Sequence, residues 1–246
     1  MRVHPADDQS DRLNDSEWIR ISEAFAPSKG NFSLWGSTEI SPRDTLQGYL
    51  GDCWILSAAS AIAIDPEKIK KLFLTDHLNS AGVYALNMYV MGVPVTVTVD
   101  EYLPFFYNDP TALVYAKAAV DGALWMPILE KAAAKLFGNY EMLSGGMMGP
   151  AIQTLTGSPF FNTWHDEISV DALWDLMDSR FAKGWMVTAG SYSGTGSDKD
   201  TNALNLPYMH AYACLGTVQL SDGTKLVKMR NPWGHELYSG PWSDYS

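Results

Sequence analysis

QGYLGDCWILSAASAIA, residues 47–63, is the stretch on which the fold of this chain turns. Gly48 and Gly51 bracket Tyr49-Leu50, so the segment opens as a turn. Asp52 is a good N-cap, and the run that follows has helical composition until Asp65-Pro66. That run is apolar on nearly all sides, which predicts a buried helix. Cys53 opens the helix, where unpaired N–H groups and the helix dipole favour a thiolate. Gln47 stands six residues upstream. Its amide and a helix-start backbone N–H would make the two donors that an oxyanion needs. A cysteine on an apolar helix is otherwise an ordinary core residue, so the reading depends on finding a base.

There are five histidines. His4, His77 and His165 lie in polar segments, and His235 follows Pro232-Trp233-Gly234 in a turn. His210 opens a segment reading AYACLG, which predicts a strand over His210–Leu220. Ser221-Asp222-Gly223-Thr224 turns it into a second strand, Lys225–Asn231. With a two-residue turn at Asp222-Gly223, facing residue numbers sum to 445, whereas His210 and Asn231 sum to 441. They then share a face at an offset of four residues. A longer loop brings them opposite, and a single bulge near Gly216 puts them on opposite faces. Asn beside His would fix the imidazole tautomer, completing a nucleophile–base–orienter set. His210 follows Cys53 by 157 residues and Asn231 follows by 21 more, somewhat longer than the papain-type spacing. Cys214 alternates onto the His210 face among Ala and Leu and reads as core.

The remaining chain reads as α+β. Residues 1–40 form a polar, loop-rich arm. Helices are expected over Pro66–Phe73, Trp125–Phe137 and Asp171–Phe181, the last with Leu173, Trp174, Leu176 and Met177 inward. Val83–Met91 and Val93–Val99 read as a hairpin with Pro94 near an edge or start. Trp185–Ala189 is a further strand, followed by a long polar loop over residues 191–207. The glycine-rich stretch Gly145–Gly157 is the seam. It divides a helical first lobe, residues 41–157, from a β-rich second lobe, residues 158–246.

Composition bounds the function. In 246 residues, 46% are hydrophobic and 18% charged, which describes a globular chain. The net charge of −11 argues against nucleic acid and against an anionic membrane surface. Cys53 and Cys214 cannot make a disulfide scaffold, and the first residues carry no apolar signal core. The longest apolar run, Cys53–Ile64, is twelve residues and too short for a bilayer. A cytoplasmic protein with two free thiols is the expectation. No metal ligand set is assigned.

The motif around Cys53 strongly resembles the cysteine segment of the calpain proteases, a family within the papain-like superfamily. LEKAAAKLFGNYEMLSGG, residues 129–146, resembles a second calpain block. HAYACLG, residues 210–216, with VKMRNPWGHELYSGPWSD, residues 227–244, resembles the histidine and asparagine segments. The resemblance implies a two-lobed papain-like core and an intracellular endopeptidase acting on protein substrates. Cys53 would be the nucleophile, His210 the base and acid, Asn231 the orienter and Gln47 an oxyanion donor. Trp233 would shield the His–Asn bond, and Gly145 and Gly146 would line the cleft. No cofactor is needed for that chemistry. Calcium is implied by the family, yet its expected ligands are largely unmatched. Asp44 and Asp244 resemble ligand positions, while Ala123 and Leu237 stand where acids are expected. Met209 replaces the usual glycine before the histidine. The second lobe reads as C-terminally incomplete, and regulatory domains as absent. The rival reading is a catalytically weak calpain-like interaction module; acyl transfer of the transglutaminase kind is a third.

Overall fold

The structure, a computed structural model, describes residues 16–25, 32–191 and 198–244. It is α+β. Helix α2 (Cys53–Ile62) follows a short strand β1 (Ser16–Arg20) and a one-turn helix α1 (Ile21–Ala24). Every residue of α2 from Trp54 to Ile62 is buried, as its all-round apolar sequence requires. Asp65 ends that run and starts α3 (Pro66–Leu72), its side chain accepting from the Glu67 N–H with Pro66 in the first turn.

Strands β2 (Val83–Val90) and β3 (Val93–Asp100) pair antiparallel with Val90 facing Val93. Their two connecting residues, Met91 and Gly92, both take positive φ (50° and 80°), the backbone of a type I′ turn. Tyr84, Leu86 and Met88 alternate inward on β2. Helix α4 (Trp125–Phe137) packs against this hairpin and stops at Gly138, whose φ of 119° suits only glycine.

Two features depart from the sequence reading. Part of the expected arm is strand: β1 pairs with β4 (Tyr102–Phe106), which pairs with β5 (Asp109–Leu113). The tie is electrostatic as well, since the Arg20 guanidinium pairs with buried Glu101, which also accepts from Ser22 Oγ at 2.9 Å. Residues 1–15 and 26–31 of that arm, and 192–197 of the polar loop, lie outside the described residues. The seam is also partly helical: α5 (Met148–Thr156) carries Gly149-Pro150 in its first turn, where the missing proline N–H costs nothing. It buries Ala151, Ile152 and Leu155 and packs on α2.

Beyond α5 the chain forms α6 (Val170–Phe181) and an antiparallel sheet of β6 (Val187–Gly190), β7 (Ala211–Gln219) and β8 (Lys225–Arg230), with β7 central. Leu173, Trp174, Leu176 and Met177 do turn toward the sheet, but no residue of α6 is fully buried. Among the described residues after Leu155, prolines aside, the buried apolar ones are Ala211, Tyr212, Ala213 and Cys214. All lie at the start of β7, the part that packs on α2. The main core therefore belongs to residues 21–155 plus one inserted strand end.

This distribution sets different costs for similar substitutions. Leu56→Ala, fully buried on α2, should cost about 2–5 kcal/mol through lost burial and a cavity. Leu176→Ala, half-buried on α6, should cost less than about 1 kcal/mol because little apolar area is lost. Urea unfolding of the two variants checks this, and equal losses would contradict it.

Candidate active site

The starts of a helix and of a strand meet here. The start of α2 presents Cys53, and the start of β7 presents His210. Cys53 is half-buried while His210 is 1% exposed. The Ala211 backbone amide faces the Cys53 sulfur, which places the thiol beside the first residue of β7.

His210 and Asn231 do come together: His210 Nε2 lies 2.9 Å from Asn231 Oδ1. The way the hairpin achieves this differs from the simple expectation. Its loop is one residue longer, with Gln219 facing Lys225, so facing numbers sum to 444. That alone would put the pair on opposite faces. A bulge between Cys214 and Gly216 then changes the sum to 443. The two one-residue changes cancel in parity, leaving His210 and Asn231 on one face as diagonal neighbours.

The same Asn231 oxygen accepts from the Trp233 backbone N–H at 3.0 Å. A backbone N–H can only donate, so the amide atom facing it is the oxygen. His210 Nε2 faces that oxygen and must carry the ring proton. Nδ1 of the neutral ring is then a lone pair, and it has no hydrogen-bond partner among the described residues. The Trp233 indole lies over the ring at 4.2 Å between centroids, and Tyr212 meets it edge-on at 4.9 Å. Ser191, which sequence reasoning did not select, accepts from the His210 N–H at 2.9 Å and fixes the backbone.

Burial keeps both partners neutral. It pushes the Cys53 thiol up to about 12, opposed by the Ala211 amide and assisted by the negative charges of Asp52 and Asp198. It lowers the His210 imidazole, against the hydrogen bond that the ring donates to Asn231 and the field of Asp198. The helix-start placement thus does not by itself yield a resting thiolate. Cys214 is fully buried and is likewise pushed up to about 12 by burial.

The other selected residues surround this pair. Gln47 is buried, with its side-chain Nε2 donating to the Leu50 carbonyl at 2.6 Å. Gly145 donates its N–H to the Gly51 carbonyl at 2.8 Å, and Trp54 Nε1 donates to the Leu143 carbonyl at 2.8 Å. Gly146 lies flat on the Trp54 indole, where an added Cβ would come within 2.3 Å. The glycine segment is therefore fastened to the turn before Cys53. Met209 has φ 50° and is 53% exposed, so the position before His210 takes the left-handed backbone that suits glycine.

Chain-wide comparison shows the family. Residues 3–246 match the model of the calpain family cysteine proteases. The chain belongs to the calpain family. It is 36% identical over 262 residues to a calpain-type cysteine protease of Oryza sativa subsp. japonica, covering 98% of this chain and 12% of that protein. A calpain-type cysteine protease of Zea mays is 36% identical over 94% of this chain and 11% of its own length. The calpain-1 catalytic subunit of Mus musculus is 30% identical over 94% and 32%. This calpain-family chain thus spans about a tenth to a third of the length of these relatives. Among the described residues, no helix is long and apolar enough to cross a membrane.

The calcium positions implied by the family can be tested on the side chains. Asp44 Oδ2 accepts from the Ser41 N–H at 2.9 Å and Trp125 Nε1 at 3.0 Å, and Oδ1 accepts from Ser41 Oγ at 3.2 Å. Ala123 offers no carboxylate; nearby Asp121 accepts from Thr38 Oγ1 at 2.7 Å and the Ala123 N–H at 3.2 Å. In the later segment, Glu236 Oε2 accepts from the Asp244 N–H at 2.7 Å, and Leu237 supplies no ligand. Hard Ca²⁺ takes about six to eight oxygens, several of them charged. The Asp44, Asp121 and Glu236 carboxylates already accept from N–H and O–H donors, and with Ala123 and Leu237 in place of acids they do not make such a cage.

Asp52 holds the main surprise. Its side chain makes no cap hydrogen bond; it is fully buried, neither of its oxygens has a donor among the described residues, and it interacts electrostatically with buried Glu130 of α4. Glu130 also accepts from the Ala116 N–H, both oxygens at 3.0 Å. Two buried carboxylates acting on one another disfavour a second ionisation, so the pair keeps one proton between them. Burial raises both, and the charge of Asp52 raises Glu130 further. For a group raised by folding, stability is present below the ordinary carboxylate range and is lost as pH rises toward neutrality. Glu130→Gln keeps an acceptor for Ala116 and offers Asp52 a permanent donor. Between pH 5 and 8, unfolding free energy should fall more steeply in the wild type than in this variant, by up to about 1.4 kcal/mol per pH unit. Parallel profiles would refute the shared proton.

Proposed function

We propose that this chain is a papain-like, two-lobed endopeptidase core that cleaves protein substrates through Cys53, His210 and Asn231. The observation that carries this reading is the Asn231 oxygen shared between Trp233 N–H and His210 Nε2, which frees the Nδ1 lone pair for the thiol. Residues 41–157 are taken as the first lobe and 158–246 as the second, in keeping with where the core lies. The net charge of −11 favours protein over nucleic-acid substrates, and a cytoplasmic location is part of the proposal.

The chemistry begins from neutral partners. His210 Nδ1 takes the Cys53 proton as the sulfur bonds to a peptide carbonyl carbon. The oxyanion accepts from the Cys53 N–H and from the Gln47 Nε2 hydrogen not used by Leu50. The imidazolium then gives its proton to the departing amine, leaving a thioester. Water, deprotonated by Nδ1, attacks the thioester, and the thiol recovers a proton. Asn231 holds the tautomer throughout, under the Trp233 indole. Gly145 and Gly146 pair with extended substrate backbone along the cleft. The rival reading, a catalytically weak interaction module, draws on Met209, an exposed side chain directly before His210 on backbone that suits glycine.

A fluorogenic peptide assay with parallel iodoacetamide labelling tests the proposal. Cys53→Ser should abolish turnover, His210→Ala should lower it by about 10²–10⁴, and Gln47→Ala by about 10²–10³. Labelling should fall on Cys53 rather than buried Cys214 and should slow in His210→Ala. Because the implied calcium positions do not fit the ion, turnover should be the same with a chelator as with added Ca²⁺. Wild-type protein without turnover would favour the interaction module, and chelator-sensitive turnover would overturn the metal-independent reading.

A further inference from the structure

Asn231 sits between two residues that both fasten to one short segment, residues 42–47. On one side Arg230, the last residue of β8, sends Nη2 to the Arg43 carbonyl at 3.2 Å and toward the Thr45 carbonyl at 3.5 Å. On the other side the Pro232 carbonyl accepts from the Gln47 N–H at 2.8 Å. Gly234, in the same turn, lies flush against Leu46, where an added Cβ would come within 2.5 Å of its Cδ2.

The segment that receives these contacts is itself rigid. Residues Pro42–Asp44 form a single 3₁₀ turn closed by a reciprocal Ser41–Asp44 capping box. Trp125 of α4 binds Asp44, and Ser60 of α2 donates to the Pro42 carbonyl at 3.2 Å. Leu46 accepts from the Lys117 N–H at 2.8 Å, and Gln47 continues directly into the turn before Cys53. A continuous set of hydrogen bonds thus runs from the cysteine helix and α4 to both neighbours of Asn231.

Arg230 is half-buried between Arg43, which repels it, and the acids Asp44 and Asp244, which attract it. Its Nε has no hydrogen-bond partner among the described residues. A partly buried guanidinium is costly without charge pairing, so its orientation onto two backbone carbonyls is a specific demand rather than a loose surface contact.

We propose that Arg230 is a positioning residue: it clamps the end of β8 onto the Pro42–Gln47 segment and so sets Asn231, and through it the His210 ring, against Cys53. The proposal rests on the peptidase reading for its turnover arm, while its thiol arm is independent of substrate. Alignment of the two halves of the site is then supplied by hydrogen bonds within the chain. Lysine cannot replace Arg230 fully, because both carbonyls are reached from Nη2 at the far end of the guanidinium, and the lysine ammonium sits on a shorter, more flexible stem.

The test compares wild type, Arg230→Ala, Arg230→Lys and Leu176→Ala, the last as a control for general destabilisation far from the clamp. Each is first checked for folding by circular dichroism and melting. Arg230→Ala should lower kcat about 10–10²-fold with KM within about threefold, since misplacement affects the reacting atoms more than substrate backbone binding. Arg230→Lys should fall between. Millimolar guanidinium, below denaturing levels, should restore Arg230→Ala more than tenfold toward wild type but leave Leu176→Ala unchanged. Cys53 alkylation by iodoacetamide should lose most of its dependence on His210 in Arg230→Ala. If the wild type shows no turnover, the peptidase reading fails and the alkylation arm alone judges the clamp. Full retention of His210-dependent alkylation in folded Arg230→Ala or Arg230→Lys would overturn the proposal.

Discussion

The candidate site depends on one oxygen atom. Asn231 Oδ1 receives the Trp233 N–H and the His210 Nε2–H together, and those two donors dictate the orientation of amide and imidazole alike. Remove either donor and the asparagine amide can flip, after which the histidine tautomer is no longer specified. The ring has little freedom otherwise, because it is packed between Trp233 and Tyr212 in a buried place. Burial holds the thiol and the imidazole neutral, so a proton transfer coupled to attack suits this site better than a standing ion pair.

The surroundings serve that arrangement from two directions. Helix α2 is buried along its length and brings Cys53 to a fixed point at its first turn. The glycine segment is fastened to the preceding turn through Gly145, Gly146 and Trp54. From the other side, the β7–β8 hairpin delivers His210 and Asn231 from positions just outside its two strand ends. Only the first residues of β7 enter the core, so the pairing of the halves rests on few contacts, and the polar bonds to residues 42–47 carry correspondingly more of it.

Much of this was legible in the residues because the signals are local. The apolar run after Cys53, the hairpin broken at Gly92 and the Ala-rich helix before Gly138 each announce themselves within a dozen residues. His210 and Asn231 were legible as a pair, yet the loop length and the bulge that jointly restore their common face were not. Each shifts register by one residue, and no composition rule places a bulge. Strands β1, β4 and β5 escaped because their partners are distant in sequence: Ser16 faces Phe106. Asp52 misled for a different reason. An aspartate before a helix ordinarily caps it, but here the side chain makes no cap bond and is fully buried, its charge coupled to that of Glu130 on another helix. Arg230 was invisible as a clamp because its acceptors are backbone carbonyls 187 and 185 residues away, which no side-chain pattern records.

The most direct measurement is nitrogen NMR of protein labelled with ¹⁵N-histidine, with the His210 signals assigned by their loss in His210→Ala. The account predicts a neutral ring at pH 7 with the proton on Nε2 and a bare Nδ1, and an averaged tautomer when Asn231 is replaced by Ala. A proton found on Nδ1 in the wild type, or a tautomer indifferent to Asn231, would contradict it.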